Sequence, residues 1–197
     1  MHVQTFVLGP LETNCYLLTY EQTKEAVIID PGKDPGYLLK AIQGLKVGQI
    51  WLTHTHYDHI AGLQALREVT QAPIYVHERE MDWLLDPSLN RSLFNEDYDL
   101  VVGPAADVLL TEGQLLRLGD RTFEVRETPG HTPGHVSFVT EGMVFSGDVL
   151  FYDDIGRCDL PGGSLEDLQR SLSQILYALP DETIVYTGHG PQTSIGR

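Results

Sequence analysis

Cysteine and positive charge are both scarce in this chain of 197 residues. Thirteen lysines and arginines stand against 28 aspartates and glutamates, a net charge of −15 with histidine neutral. A field of that sign repels polyanions, which argues against nucleic acid or anionic membrane as the main partner. The two cysteines, Cys15 and Cys158, are too few for a disulfide framework or a Cys-x-x-Cys centre. Cys15 lies in the apolar run NCYLLTY and reads as a buried small hydrophobe. Cys158 follows Arg157, whose charge favours a thiolate, but it reads as structural. Long hydrophobic runs are also missing: stretches such as AVII (26–29) fall far short of a membrane span. No basic segment followed by an apolar core and a cleavage site is visible, so the expected location is the cytoplasm.

What is present describes a soluble globular protein, with 42% hydrophobic and 21% charged residues. Its length suits one buried core, and a single domain over 1–197 is expected. HVQTFVL, CYLLTY and EAVIID read as three opening strands. PGKDPG (31–36) breaks the chain before a short helix over Tyr37–Leu45, and QIWLT (49–53) reads as a buried strand. Ile60, Leu63, Leu66 and Val69 recur every three residues, which predicts a helix starting near Asp58. A strand IYV (74–76) and a helix around 78–85 come next. Residues 86–106 are polar and aperiodic and read as a long surface loop; with Asn90, Arg91 and Tyr98 it either covers a pocket or has no role. In the second half FEVRET, HVSFVT, MVFSG and TIVYTG read as strands. Ser164 and Asp167 open a helix with a capping pattern, and Leu165, Leu168, Leu172, Ile175 and Leu176 give it an apolar face. Strands then helices, twice over, predict an α/β fold of two packed sheets with helices outside.

Histidine is the residue this sequence concentrates. LTHTHYDHIAG (52–62) carries three of its eight histidines. His54 and His56 sit two apart past a strand, so an extended backbone points both rings to one side. Asp58 and His59 follow at a helix start. His131 lies in the Pro/Gly turn TPGHTPGH, Asp148 follows a strand in SGD, and His189 does the same in TGHG. Seven candidates exceed the four ligands of one zinc and suit two metals sharing a carboxylate. His2 and His77 read as non-metal, and His135 as a local hydrogen-bonding residue.

HTHYDH, PGHTPGH, SGD and TGHG, in that order and spacing, resemble the metallo-β-lactamase superfamily. Within it the chain is most similar to glyoxalase II, the hydroxyacylglutathione hydrolases, and their short relatives, over essentially its whole length. The resemblance implies a four-layer αββα sandwich of two mixed sheets with two divalent ions at one edge: zinc, iron or manganese. His54, His56 and His131 would hold one ion and Asp58, His59 and His189 the other, with Asp148 bridging. The carboxylate of Asp58 differs from the cysteine found at a ligand position in some lactamases, which favours the hydrolase branch. GRCDLPGG (156–163) resembles a GRxD element, making Arg157 and Asp159 candidates to shape the substrate pocket or a structural pair.

Two adjacent divalent ions lower the pKa of a bridging water and so supply hydroxide near neutral pH. A thioester suits such a site because its thiolate leaves without a strong acid. Asp58 would orient the attacking group. No GxSxG elbow competes. The expected reaction is hydrolysis of a small acyl thioester such as S-lactoylglutathione. Longer glyoxalase II proteins grip glutathione with basic residues of a C-terminal helical extension, whereas eight residues follow His189 here, Arg197 alone being basic. The acyl group, thiol carrier and oligomeric state are therefore open. Persulfide dioxygenases also resemble the chain; they bind one iron through two histidines and a carboxylate, here His54, His131 and Asp148.

Overall fold

In the strand β2 (Thr13–Tyr20) neighbouring side chains serve two different interiors. Cys15 and Leu17 pack with one apolar cluster, Tyr16 and Leu18 with another. That period of two is what a strand buried on both faces requires, and it accounts for the unbroken apolar run. A computed structural model describes residues 1–96 and 98–197. It contains two mixed six-stranded sheets. The first runs β1 (His2–Leu8), β2, β3 (Glu25–Ile29), β4 (Lys46–Trp51), β5 (Ile74–His77) and β6 (Val108–Leu110) in spatial order. Pairing is antiparallel from β1 to β3 and parallel from β3 to β6. The second sheet holds β7 (Leu115–Leu118), β8 (Arg121–Glu127), β9 (Val136–Thr140), β10 (Met143–Gly147), β11 (Ile184–Thr187) and β12 (Thr193–Ser194). Only β10 and β11 pair in parallel there.

Three apolar clusters separate the four layers. Between the sheets lie Tyr16, Val27, Trp51, Phe123, Phe138 and Phe145 among others. The Trp51 ring sits 5.1 Å from both Phe123 and Phe138. Each such fully buried side chain contributes roughly 1.5–3 kcal/mol of transfer free energy. Outside the first sheet, Leu38 of α1 (Gly36–Ala41), Ile60 of α2 (Tyr57–Ile60) and Leu63 and Leu66 of α3 (Leu63–Thr70) cover Leu17, Ile28 and Ile50. Outside the second, Leu168 of α4 (Leu165–Arg170) and Leu172 and Leu176 of the π-helical turn Ser171–Leu176 cover Val144 and Val185. The expected αββα sandwich is the observed one.

Several element boundaries differ from expectation. The helix starting near Asp58 is two helices, interrupted at Gly62, whose N–H donates to Pro31 O at 2.8 Å. Val69 is 64% exposed. Four residues spaced by three drift round a helix with about 3.6 residues per turn, so the fourth leaves the buried side. The helix expected over Tyr37–Leu45 ends at Ala41, before Gly44 with its φ of +80°. The helix around 78–85 is a 3₁₀ helix, Glu78–Leu84. Ser164 caps α4 as expected, accepting from Asp167 N at 3.2 Å, whereas Leu165 is exposed. Among the described residues no helix is long and apolar enough to cross a membrane.

Candidate metal centre

All seven candidate residues follow the carboxyl ends of strands, the edge at which open α/β sheets gather their sites. His54 and His56 come from the turn after β4, Asp58 and His59 from α2 directly behind it, and His131 from the turn between β8 and β9. Asp148 follows β10 directly and His189 follows β11. The two sheets are joined at this edge, where Asn14 N donates to Gly188 O at 2.7 Å. Thr13 and His189 form an isolated bridge beside it.

Ring orientation is set by what each outer nitrogen touches. Nδ1 of His54 lies 3.1 Å from Thr53 Oγ1 and that of His59 3.1 Å from Asp30 Oδ2. Nδ1 of His131 lies 2.8 Å from Arg157 O, and that of His189 2.9 Å from Leu11 O. Each acceptor holds a proton on Nδ1 and turns Nε2 inward, as the outer partners of metal-ligating histidines do. His56 instead turns its Nδ1 inward, 2.9 Å from His131 Nε2. His59 Nε2 and His189 Nε2 face each other at 3.3 Å.

Asp148 stands between the two histidine sets. Its Oδ2 is 3.6 Å from His131 Nε2 and 3.5 Å from His189 Nε2, and its Oδ1 is 3.4 Å from His59 Nε2. Asp58 Oδ2 is 3.2 Å from His189 Nε2 and accepts from Thr13 Oγ1 at 2.8 Å. The geometry thus groups His54, His56 and His131, and separately Asp58, His59 and His189, as sets of ligand atoms within 4.8 Å of one another. A third grouping, Asp30 with His54 and His59, has the same compactness. Asp30 is already committed, because its oxygens accept from Thr53 N at 2.8 Å, Thr53 Oγ1 at 2.6 Å and His59 Nδ1. It orients its neighbours from outside.

Electrostatics separates the two sets. Burial disfavours a charge on His54 and His56, holding the first well below the usual histidine range and the second at about 3. Burial also opposes protonation of His59 and His189, but Asp58 and Asp148 outweigh it, raising His59 well above the usual range and His189 to about 10. Reciprocally, burial resists ionisation of the carboxyls, yet His59 and His189 bring Asp58 to about 2 and Asp148 well below the carboxylate range. Among the described residues, His54 Nε2, His56 Nε2 and Asp148 Oδ1 are buried without a hydrogen bond. Orphaned buried polar atoms are costly unless something satisfies them. An imidazole and carboxylate donor set fits divalent zinc, iron or manganese.

The other singled-out residues have distinct surroundings. His135 is buried, accepts from Asp148 N at 3.1 Å through Nε2 and lies 3.0 Å from Thr128 Oγ1 through Nδ1. Arg157 and Asp159 pair with each other through two contacts of 2.8 Å on the surface, and Arg157 meets His131 through its carbonyl. Asn90 is a structural knot: its side chain donates to Trp83 O at 3.0 Å and Val101 O at 2.8 Å, while its carbonyl accepts from Tyr57 N at 2.9 Å. Segment 86–106 is thereby tied to the histidine turn. Tyr98 is buried, and the Arg91 guanidinium lies over Phe94. Sequence reasoning missed Thr13, Asp30, Thr53 and Glu80. Asp30 carried a signal, an aspartate directly after a buried strand, as in SGD.

The sequence profile of the metallo-beta-lactamase superfamily matches residues 8–189. The chain belongs to the metallo-β-lactamase superfamily. It is 39% identical over 192 residues to the "Probable metallo-hydrolase YqgX" of Bacillus subtilis, covering 95% of this chain and 90% of that one. With the "Hydroxyacylglutathione hydrolase GloC" of Haemophilus influenzae it shares 34% identity over 100% of this chain and 94% of that one. Among solved structures of the superfamily, the BLEG-1 B3 metallo-beta-lactamase superposes with a TM-score of 0.93 at 43% identity, covering 99% of this chain and 95% of that one. TTHA1623 in a di-iron-bound form gives 0.86 at 38%, covering 98% and 96%. ETHE1 from Myxococcus xanthus gives 0.83 at 32%, covering 100% and 80%.

Proposed function

We propose that this chain is a dinuclear metallo-hydrolase of small acyl thioesters, S-lactoylglutathione among them. The observation that carries the reading is Asp148, a buried carboxylate whose oxygens reach nitrogens of both histidine sets. His54, His56 and His131 would hold one divalent ion and Asp58, His59 and His189 the second, with Asp148 common to both. Such a pair supplies a water acidic enough to attack near neutral pH and polarises the substrate carbonyl. The chain's own part is positioning. Asp58, fixed by Thr13, orients the attacking water, and the neutral rings of His54 and His56 keep that side of the site free of competing protons. A thiolate leaving group needs no strong acid. Arg157 and Asp159, exposed beside His131, would shape the mouth of the pocket.

GloC supports the thioester reading, because this chain already spans 94% of it. A hydroxyacylglutathione hydrolase name therefore attaches to a chain with little room for an added helical extension. A second reading follows from the likeness to ETHE1: a persulfide dioxygenase using one iron held by His54, His131 and Asp148. The test loads purified protein with zinc, iron or manganese and counts bound metal. It then assays a thioester panel, a chromogenic cephalosporin, and oxygen uptake on glutathione persulfide. Thioester turnover with two metals is expected. One iron per chain with oxygen uptake would replace the first reading by the second, and cephalosporin turnover alone would replace both by a lactamase.

A further inference from the structure

Glu80 is fully buried, yet it takes no part in either set of candidate ligands. It lies in the first turn of the 3₁₀ helix Glu78–Leu84, which His77 caps by accepting from Arg79 N at 3.2 Å. Both carboxylate oxygens are used. Oε2 accepts from Thr55 N at 2.8 Å and from Thr55 Oγ1 at 2.9 Å, and Oε1 accepts from Gly134 N at 2.8 Å. None of these donors is a cation. A buried carboxylate without a counter-charge is expensive, and the hydrogen bonds to it are correspondingly strong.

What Glu80 joins gives those bonds a purpose. Thr55 is the residue between His54 and His56, and Gly134 lies three residues after His131. One carboxylate therefore spans the two turns that deliver the first set, turns belonging to different sheets. Gly134 is part of the device, since a Cβ there would come within 2.9 Å of both Glu80 Cγ and His77 Nδ1. With both oxygens engaged by Thr55 and Gly134 and no exposure, Glu80 has no path to serve as an acid or base for substrate.

We infer that Glu80 is a positioning residue for the first metal set, fixing the spacing between the His54/His56 turn and the His131 turn. This rests on the metal reading above, and the experiment separates the two. Zinc affinity is measured by chelator competition in a His189→Ala background, which isolates the first set, and in a His56→Ala background, which isolates the second. Glu80→Gln keeps the volume but turns an amide N–H₂ toward one of the donors. It should weaken the first set by about 10–100-fold, as loss of an outer partner typically does, and leave the second within threefold. Gly134→Ala should reproduce the effect, and the double variant should be no worse than either single one. Should Glu80→Gln fail to fold by circular dichroism, Thr55→Val, which removes one bond of the three, must still weaken the first set severalfold. Equal loss at both sets, or an unchanged first set, overturns the positioning role. Failure of the unsubstituted chain to bind zinc overturns the metal reading itself.

Discussion

Gly147, the last residue of β10, offers a quantitative test of how tightly the centre is braced. Its φ is +49°, and a Cβ built there would lie 2.5 Å from Thr53 Oγ1 and 2.6 Å from His135 Nε2. Gly142 supplies the control: its φ is +75°, but nothing lies within 4 Å of its Cβ position. Alanine at either site costs roughly 1–2 kcal/mol for a left-handed backbone. At Gly147 alone, overpacking adds about 1–3 kcal/mol, giving a total of about 2–5 kcal/mol. At ~2–4 °C per kcal/mol for a chain of this size, metal-free Gly147→Ala should melt roughly 4–20 °C below the unsubstituted chain, and Gly142→Ala about 2–8 °C below it. The two atoms displaced at Gly147 are the supports of His54 and of Asp148 N, so zinc affinity should fall by about 10–100-fold and remain unchanged in Gly142→Ala. Thermal melting of the chelated protein and chelator competition measure both quantities. Equal destabilisation by the two alanines, or full zinc affinity in Gly147→Ala, would refute the reasoning.

Replacing His135 by Phe retains bulk but leaves Asp148 N–H buried without its acceptor. Urea denaturation should show a loss of about 1–3 kcal/mol, and metal affinity should drop at both sets because Asp148 serves both. Metal uptake should release protons. His189 holds its proton to about pH 10 in the metal-free chain, and a ligating imidazole must be neutral, so affinity should rise with pH up to about 10. Calorimetry in buffers of different ionisation enthalpy reads the released protons, and a pH-independent affinity would contradict the assignment. Linkage gives the metal-free chain the opposite trend: with the folded pKa of His189 raised, its stabilising pairing is complete below about 6.5 and is lost as pH rises through about 10. For Arg157→Ala, removal of a surface pair should cost under about 1 kcal/mol and leave zinc affinity intact, since the carbonyl that meets His131 is retained. A raised KM with unchanged kcat would place its side chain at the substrate.

The seven clustered histidines and aspartates were legible because each follows a strand and the turns carry distinctive Pro and Gly spacing. Apolar runs such as CYLLTY revealed strands buried on both faces, and hence two packed sheets. Val108–Leu110 and Leu115–Leu118 were not assigned, because three or four residues hold too little pattern to register. Outer residues were harder for a different reason. Glu80 looks like one more surface acid in HEREMD, and Thr55 like a spacer, until the fold brings Gly134 to Glu80 from 54 positions away. Asn90 was legible as polar but not as a knot, since its partners are backbone groups.

Each proposed ligand set takes members from both halves of the chain: His54 and His56 with His131, Asp58 and His59 with His189. In neither of these two sets does one sheet alone supply all three donors. A bound ion would then act as a rivet through the seam between the halves, with its binding free energy added to whatever the apolar interface between the sheets supplies. Stability would become a function of free metal concentration, and a cell starved of metal would hold a looser chain as well as an idle one.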